Sequence, residues 1–169
     1  GGQRFSISGL TINSAARDVG LFGFTESTAI IRKLDLTNVS VSSSFDSTLG
    51  SGTVGGLVGF NRGSISEVSI TGDISAGAGS VSFFKSVGGL IGQNFGAITA
   101  SSSFGTVSGN EFSRIGGLVG RNPGTITNSS SESAVSSPRG PAYVGGLVGS
   151  NFGQILDSHA SGAVSGTGN

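Results

Sequence analysis

The 169-residue chain contains no cysteine, no methionine and no tryptophan, and it has only three prolines, one tyrosine and one histidine. Without cysteine there are no disulfides, no thiolate nucleophile and no Cys-based zinc or iron–sulfur site, so stability comes from packing alone, in either redox compartment. Charge is also sparse: nine basic residues balance nine acidic ones. A net charge of zero leaves no field to draw in nucleic acid or an anionic membrane, and neither is expected as a partner. No apolar run approaches the ~20 residues that a bilayer-spanning helix needs, so no membrane insertion is expected. No signal peptide is visible, and the absence of methionine even at position 1 points to a processed product or an excised segment. Three prolines, and glycines that do not fall at every third position, exclude collagen. Eleven phenylalanines and frequent Val, Ile and Leu argue against plain disorder.

What is abundant is glycine, with 32 residues, amid serine, threonine, asparagine and valine. These residues disfavour helix interiors, and helix formers never gather into a window with a 3.6-residue period. An all-β fold remains.

Internal repetition dominates the chain. Gly-Gly-Leu-(Val/Ile)-Gly begins at Gly55, Gly88, Gly116 and Gly145, at spacings of 33, 28 and 29 residues. Counting from the first glycine, offset six is always Asn (Asn61, Asn94, Asn122, Asn151) and offset eight always Gly (Gly63, Gly96, Gly124, Gly153). Offset ten is Ile65, Ile98, Ile126 and Ile155; offset thirteen is Ser101, Ser129 and Ser158, with Val68 in the first unit; offset nineteen is Ile74, Val107, Val135 and Val164. A degenerate unit starts near Val19, where Gly20 to Phe24 imitates Gly56 to Phe60.

The series Gly-Gly-Leu-Val-Gly-x-Asn-x-Gly-x-Ile, then Ser, then Gly-x-Val-x-Gly, resembles the GLUG motif repeat over 55–169, more weakly back to about 19. Ser133, Ala76 and Ser137 depart from it where other units carry Gly. The resemblance implies a non-catalytic part of a large secreted or cell-surface bacterial protein, as in adhesins and certain immunoglobulin-cleaving metallopeptidases.

Short strands at a fixed repeat length predict a parallel β-helix, a β-solenoid of about five to six coils with roughly three short strands per coil. The strands are expected in Gly-Leu-Val-Gly, around the offset-ten Ile and around the offset-nineteen Val. The chain divides as an incomplete or capping coil over 1–18, a degenerate repeat over 19–54, and repeats over 55–87, 88–115, 116–144 and 145–169. Leu57, Leu90, Leu118 and Leu147 would form one interior column. Asn-x-Gly reads as a turn in which Asn tolerates the left-handed region and Gly accepts positive φ. The four Asn are expected to stack as an amide ladder.

Catalytic patterns are thin. Gly50-Ser51-Gly52-Thr53-Val54-Gly55 matches a dinucleotide fingerprint in form, without the strand and helix that give it meaning. His159 is the sole histidine, and its neighbour Ser158 would point to the opposite face of a strand. Glu67 and Asp157 share offset twelve, but with three coil steps between them they stand ~14 Å apart, beyond the ~6.5–9.5 Å of an inverting glycosidase pair. No catalytic residue, metal site or cofactor is expected. Asn38-Val39-Ser40 and Asn128-Ser129-Ser130 are glycosylation acceptors by pattern alone.

Length varies after offset twenty-one, so the extra residues should emerge on one corner. They bring Phe83, Phe84, Lys85, Phe112, Arg114, Arg139 and Tyr143, an aromatic and basic candidate binding corner for a glycan or protein ligand. Phe95 and Phe152 are expected to form a second, smaller exposed strip. The leading expectation is a non-enzymatic structural or adhesive scaffold, joined to neighbouring domains of a longer chain. One alternative is a self-assembling filament subunit, because the last unit stops at Asn169, close to where a new Gly-Gly-Leu would begin. Another is a fragment of a carbohydrate-active β-helix enzyme.

Overall fold

The computed structural model describes residues 2–80, 82–140 and 142–167. Among them the paired strands run parallel, in one wide sheet of twelve strands and two narrow sheets of five each. Six coils are stacked in register, forming a β-solenoid ~25–30 Å tall at the usual strand spacing. No described helix is long and apolar enough to cross a membrane.

The first narrow sheet, here the glycine sheet, contains Asp18–Val19, Thr53–Gly55, Lys85–Gly88, Ser113–Gly116 and Tyr143–Gly145. The asparagine sheet contains Phe22–Thr25, Val58–Asn61, Ile91–Asn94, Val119–Asn122 and Val148–Asn151. The wide sheet begins with Phe5–Ser8 and Thr11–Ser14 and continues through Ile30–Ser43 and Ser64–Ala76. Its last three rungs are broken into shorter strands within 97–108, 125–137 and 154–166.

The strand boundaries differ from the sequence expectation in one respect. Gly-Leu-Val-Gly is not a single strand: the chain leaves the glycine sheet at Gly55 and enters the asparagine sheet at Val58. The corner is tight because the backbone closes on itself; a Cβ on Gly55 would lie 2.3 Å from the Val58 carbonyl oxygen. The stretches around the offset-ten Ile and the offset-nineteen Val share one sheet, the wide one.

Apolar columns fill the interior. Leu57, Leu90 and Leu118 are fully buried and linked to the next coil by backbone hydrogen bonds, ending on Leu147. Ile65, Ile98 and Ile126 stack in register with Ile155, and Val41, Ile74, Val107 and Val135 with Val164. Each fully buried aliphatic side chain contributes about 1.5–3 kcal/mol of burial free energy. None of these faces can be buried within a single coil; each needs its neighbours.

Positive φ does not occur in the Asn-x-Gly turns. Among non-glycine residues it recurs at offset twelve and its equivalent, on Lys33, Glu67, Ala100, Asn128 and Asp157, with φ between 47° and 56°, and occurs outside that column on Asn38 and Phe112. The glycine of each Asn-x-Gly turn is required for close stacking instead: a Cβ on Gly96 would lie 2.0 Å from the Gly63 carbonyl oxygen. The left-handed residue turns the wide sheet in mid-rung, and the serine after it completes the corner. Ser101 Oγ accepts the Val68 N–H across the coil gap (3.2 Å) and donates to the Thr99 carbonyl (2.9 Å). Ser129 and Ser158 repeat this one and two coils further on. Val68 fits at the head of the line because its own backbone N–H is the donor there.

Candidate functional site

The four offset-six asparagines form a hydrogen-bonded ladder along the solenoid axis. Asn61 Nδ2 donates to Asn94 Oδ1, Asn94 to Asn122 and Asn122 to Asn151, each over 2.8 Å. Thr25 occupies the same place in the degenerate unit, and its hydroxyl donates to Asn61 Oδ1 (2.6 Å). Each amide also donates to the carbonyl of the glycine two residues on, at Gly63, Gly96, Gly124 and Gly153. Asn61, Asn94 and Asn122 are completely buried. Side chains so fully engaged hold the coils together and leave little for a ligand.

The insertion corner is only partly assembled. Phe84 meets Phe112 edge-on with ring centroids 6.0 Å apart and lies tilted against Tyr143 at 5.6 Å, with the Arg114 guanidinium 4.8 Å from its centroid. Lys85 does not join them. It opens a strand of the glycine sheet with its side chain turned inward, 2% exposed, and burial pushes its ammonium below the ordinary lysine range while Asp46 partly opposes this. The alternation of the strand sets this: Ser86, its neighbour, falls on the opposite face of the sheet, in register with Arg114 and Tyr143, where it is itself covered. Phe83 is held in a local turn by hydrogen bonds with Ser80, and Arg139 is exposed, its carbonyl accepting from Ser137. Neither is in ring contact with the cluster.

A larger aromatic and cationic surface lies on the asparagine sheet. Phe24 stacks on Phe60 at 5.5 Å and Phe60 on Phe95 at 5.3 Å, at interplanar angles of 23° and 20°. The Arg62 guanidinium sits 5.8 Å from the Phe24 centroid and 5.7 Å from that of Phe60. Arg121 bridges the next gap, 5.9 Å from Phe95 and 5.0 Å from Phe152. The expected Phe95 and Phe152 strip is therefore one end of a continuous ribbon. Phe24, Phe60 and Arg121 belong to the offset-five column, and Arg62, Phe95 and Phe152 to offset seven, so no single offset carried the pattern. The signal was the alternation of aromatic and Arg between two offsets that flank the ladder asparagine.

Beside the ribbon, the corner between the two narrow sheets opens into a groove of about 420 Å³. Arg17, Arg62, Arg121, Thr53, Ser51 and Gln93 line it, together with Phe24, Phe60 and Asp18. Asp18 accepts from the Thr53 hydroxyl (2.7 Å), and Arg17 Nε donates to the Ser51 carbonyl (2.9 Å). Arg121 Nε is buried without a hydrogen-bond partner. Arg114 borders this region; burial first, and the charge of Arg121 second, hold it below its ordinary range.

Glu67 and Asp157 are exposed at their left-handed corners, with Ala100 and Asn128 on the coils between. His159 is exposed on the short strand His159–Ala160, and the Ser158 hydroxyl donates to the Leu156 carbonyl instead of approaching it. No group of three His, Cys, Asp or Glu suited to a metal occurs among the described residues. Gly50 to Gly55 runs from the end of a single 3₁₀ turn, Ser47–Leu49, into a strand of the glycine sheet, not from a strand into a helix.

The family model of the GLUG motif matches residues 140–165. A crystal structure of a Bacteroides ovatus protein, named a "putative immunoglobulin A1 protease", is similar in fold at a TM-score of 0.51 and 16% identity. The similarity covers 96% of this chain and 66% of that one, so the chain spans just under two thirds of its neighbour's length. No curated protein matches the chain.

Proposed function

We propose that this GLUG-repeat β-solenoid protein is a non-enzymatic, rigid scaffold segment of a secreted or cell-surface protein, which spaces and presents neighbouring domains. The observation that carries this reading is the unbroken asparagine ladder running through four coils beside continuous apolar columns. Such a stack resists bending because each coil is hydrogen-bonded to the next through side chain and backbone together. The separation of Glu67 from Asp157 and the engagement of Ser158 support a role outside catalysis. A surface location accords with the GLUG repeats and with the name that the Bacteroides ovatus neighbour bears.

A second reading is favoured by one observation. In the last coil Leu147, Val148 and Ile155 are only partly buried and Val164 is 49% exposed, whereas their partners Leu118, Val119, Ile126 and Val135 are at most 1% exposed. This cross-section accepts another coil, from a neighbouring segment of a longer chain or from a second copy of this one. Sedimentation and electron microscopy over a concentration series in physiological salt separate the two. Monodisperse short rods at micromolar concentration are the outcome expected of a scaffold, and fibres that lengthen with concentration would replace it with a filament subunit.

A further inference from the structure

We infer that the groove between the glycine and asparagine sheets binds an acidic carbohydrate, a glycan carrying a sugar carboxylate, with Arg62 and Arg121 as the residues that engage the anion. This goes beyond the scaffold reading, since a rigid rod remains a scaffold whether or not this groove is filled.

Charge comes first. Arg17, Arg62 and Arg121 converge on a single groove in a chain with nine basic residues and no net charge. The carboxylate among them, Asp18, is already hydrogen-bonded to Thr53. Arg121 Nε is buried and unpartnered, a donor whose desolvation is uncompensated until an acceptor arrives. A guanidinium offers a planar fork that matches a carboxylate with two parallel hydrogen bonds.

The rest of the lining narrows the class. Phe60 has Phe24 on one face and Phe95 on the other, so it presents its edge, the positive end of the ring quadrupole, which favours an anion. With both faces covered it offers no platform for a nucleic-acid base. Thr53, Phe60, Gln93 and Arg121 lie on inner strands with both edges paired, and only Asp18–Val19 and Phe22–Thr25, at the rim, are edge strands, so a peptide could add a strand at that rim alone and not across the groove. Ser51, Thr53 and Gln93 add neutral hydroxyl, carbonyl and amide groups. A ring bearing several hydroxyls and one carboxylate uses all of these at once, and about 420 Å³ lies within the ordinary range for a small-ligand site.

The test is a calorimetric and NMR titration of the intact chain with trigalacturonate, beside neutral galactotriose and triglutamate. Expected are saturable binding of trigalacturonate that weakens with salt, no binding of galactotriose or triglutamate, and affinity lower by about tenfold or more in Arg121→Gln and in Arg62→Gln. Arg32→Gln, on the wide sheet and away from the groove, should leave affinity unchanged. Circular dichroism and the thermal midpoint establish that each variant is folded, and the two Arg variants lie on different coils, so loss of one fold leaves the other to decide. The proposal is overturned if trigalacturonate does not bind, if triglutamate binds equally well, or if both folded Arg variants bind like the parent. Failure here leaves the rod dimensions and oligomeric state, and with them the scaffold reading, unaffected.

Discussion

Asn61 and Asn94, thirty-three residues apart in the chain, share a buried hydrogen bond of 2.8 Å between their side-chain amides. Each rung of this ladder satisfies one amide from the coil before and one from the coil after. Replacing Asn94 with Ala removes the acceptor of Asn61 Nδ2 and the donor to Asn122 Oδ1 together. Each orphaned buried group costs about 1–3 kcal/mol. Chemical denaturation should therefore show a loss of about 2–5 kcal/mol for Asn94→Ala, against no more than about 1.5 kcal/mol for Asn151→Ala, where the amide is exposed. Equal losses at the two positions would mean that the ladder is incidental.

The left-handed corner makes a separate prediction. Ala100 has φ of 47°, while the same corner one coil on is occupied by Asn128 at 48°. An L-residue costs about 1–2 kcal/mol in this region, and asparagine tolerates it better than alanine. Ala100→Asn should raise stability by about 0.5–1 kcal/mol, read as a higher denaturation midpoint at unchanged m-value.

These two positions show what the sequence made legible. The repeat itself, the interior Leu, Ile and Val columns and the parallel coil followed from fixed offsets, because a residue buried between identical neighbours must recur in every unit. The offset-twelve corner was hidden: Lys33, Glu67, Ala100, Asn128 and Asp157 share a backbone shape and no chemistry, and their side chains point to solvent or lie near the surface, where composition drifts. The Phe and Arg ribbon was hidden for a different reason. Its members alternate between offsets five and seven, and stacked rings from adjacent coils meet across that shift. Lys85 was misplaced because its strand begins within the insertion, one residue before outward and inward positions could be counted from the repeat.

Acid should weaken the first coils. Hydrogen bonds from Arg4, then from Ser69, hold the Asp35 carboxyl down at about 2 against an ordinary 3.8. A carboxylate depressed in the folded state contributes stability that is complete above its unfolded value and is lost as pH falls from about 4 towards about 2. The pair is open to solvent, which screens it, so the effect is small. Arg4→Ala should flatten the loss of stability across that window, measured by denaturation at a series of pH values.

Lys85 has the opposite sign. Its folded-state pKa lies below the ordinary 10.5 because of burial, so between the two values the unfolded chain binds more protons and stability rises with pH. Lys85→Met, similar in volume and without charge, should be more stable by about 1 kcal/mol near neutral pH. Its stability should also lack the alkaline gain of the parent. A variant that is less stable at neutral pH would show that the ammonium makes contacts that outweigh its burial.

The asparagine amides point the same way: Nδ2 of Asn61, Asn94 and Asn122 reaches towards the next coil, and Oδ1 of each of the four accepts from the previous one, with the Thr25 hydroxyl closing the first position. The rod is thus a vector. Aligned dipoles polarise one another, so a rung already in place strengthens the acceptor or donor offered to its successor. A coil emerging during synthesis meets a finished template of matching direction, and one presented upside down finds donor facing donor. The orientation in which each coil can join its neighbour is thus fixed by the same side chain repeated at the same place.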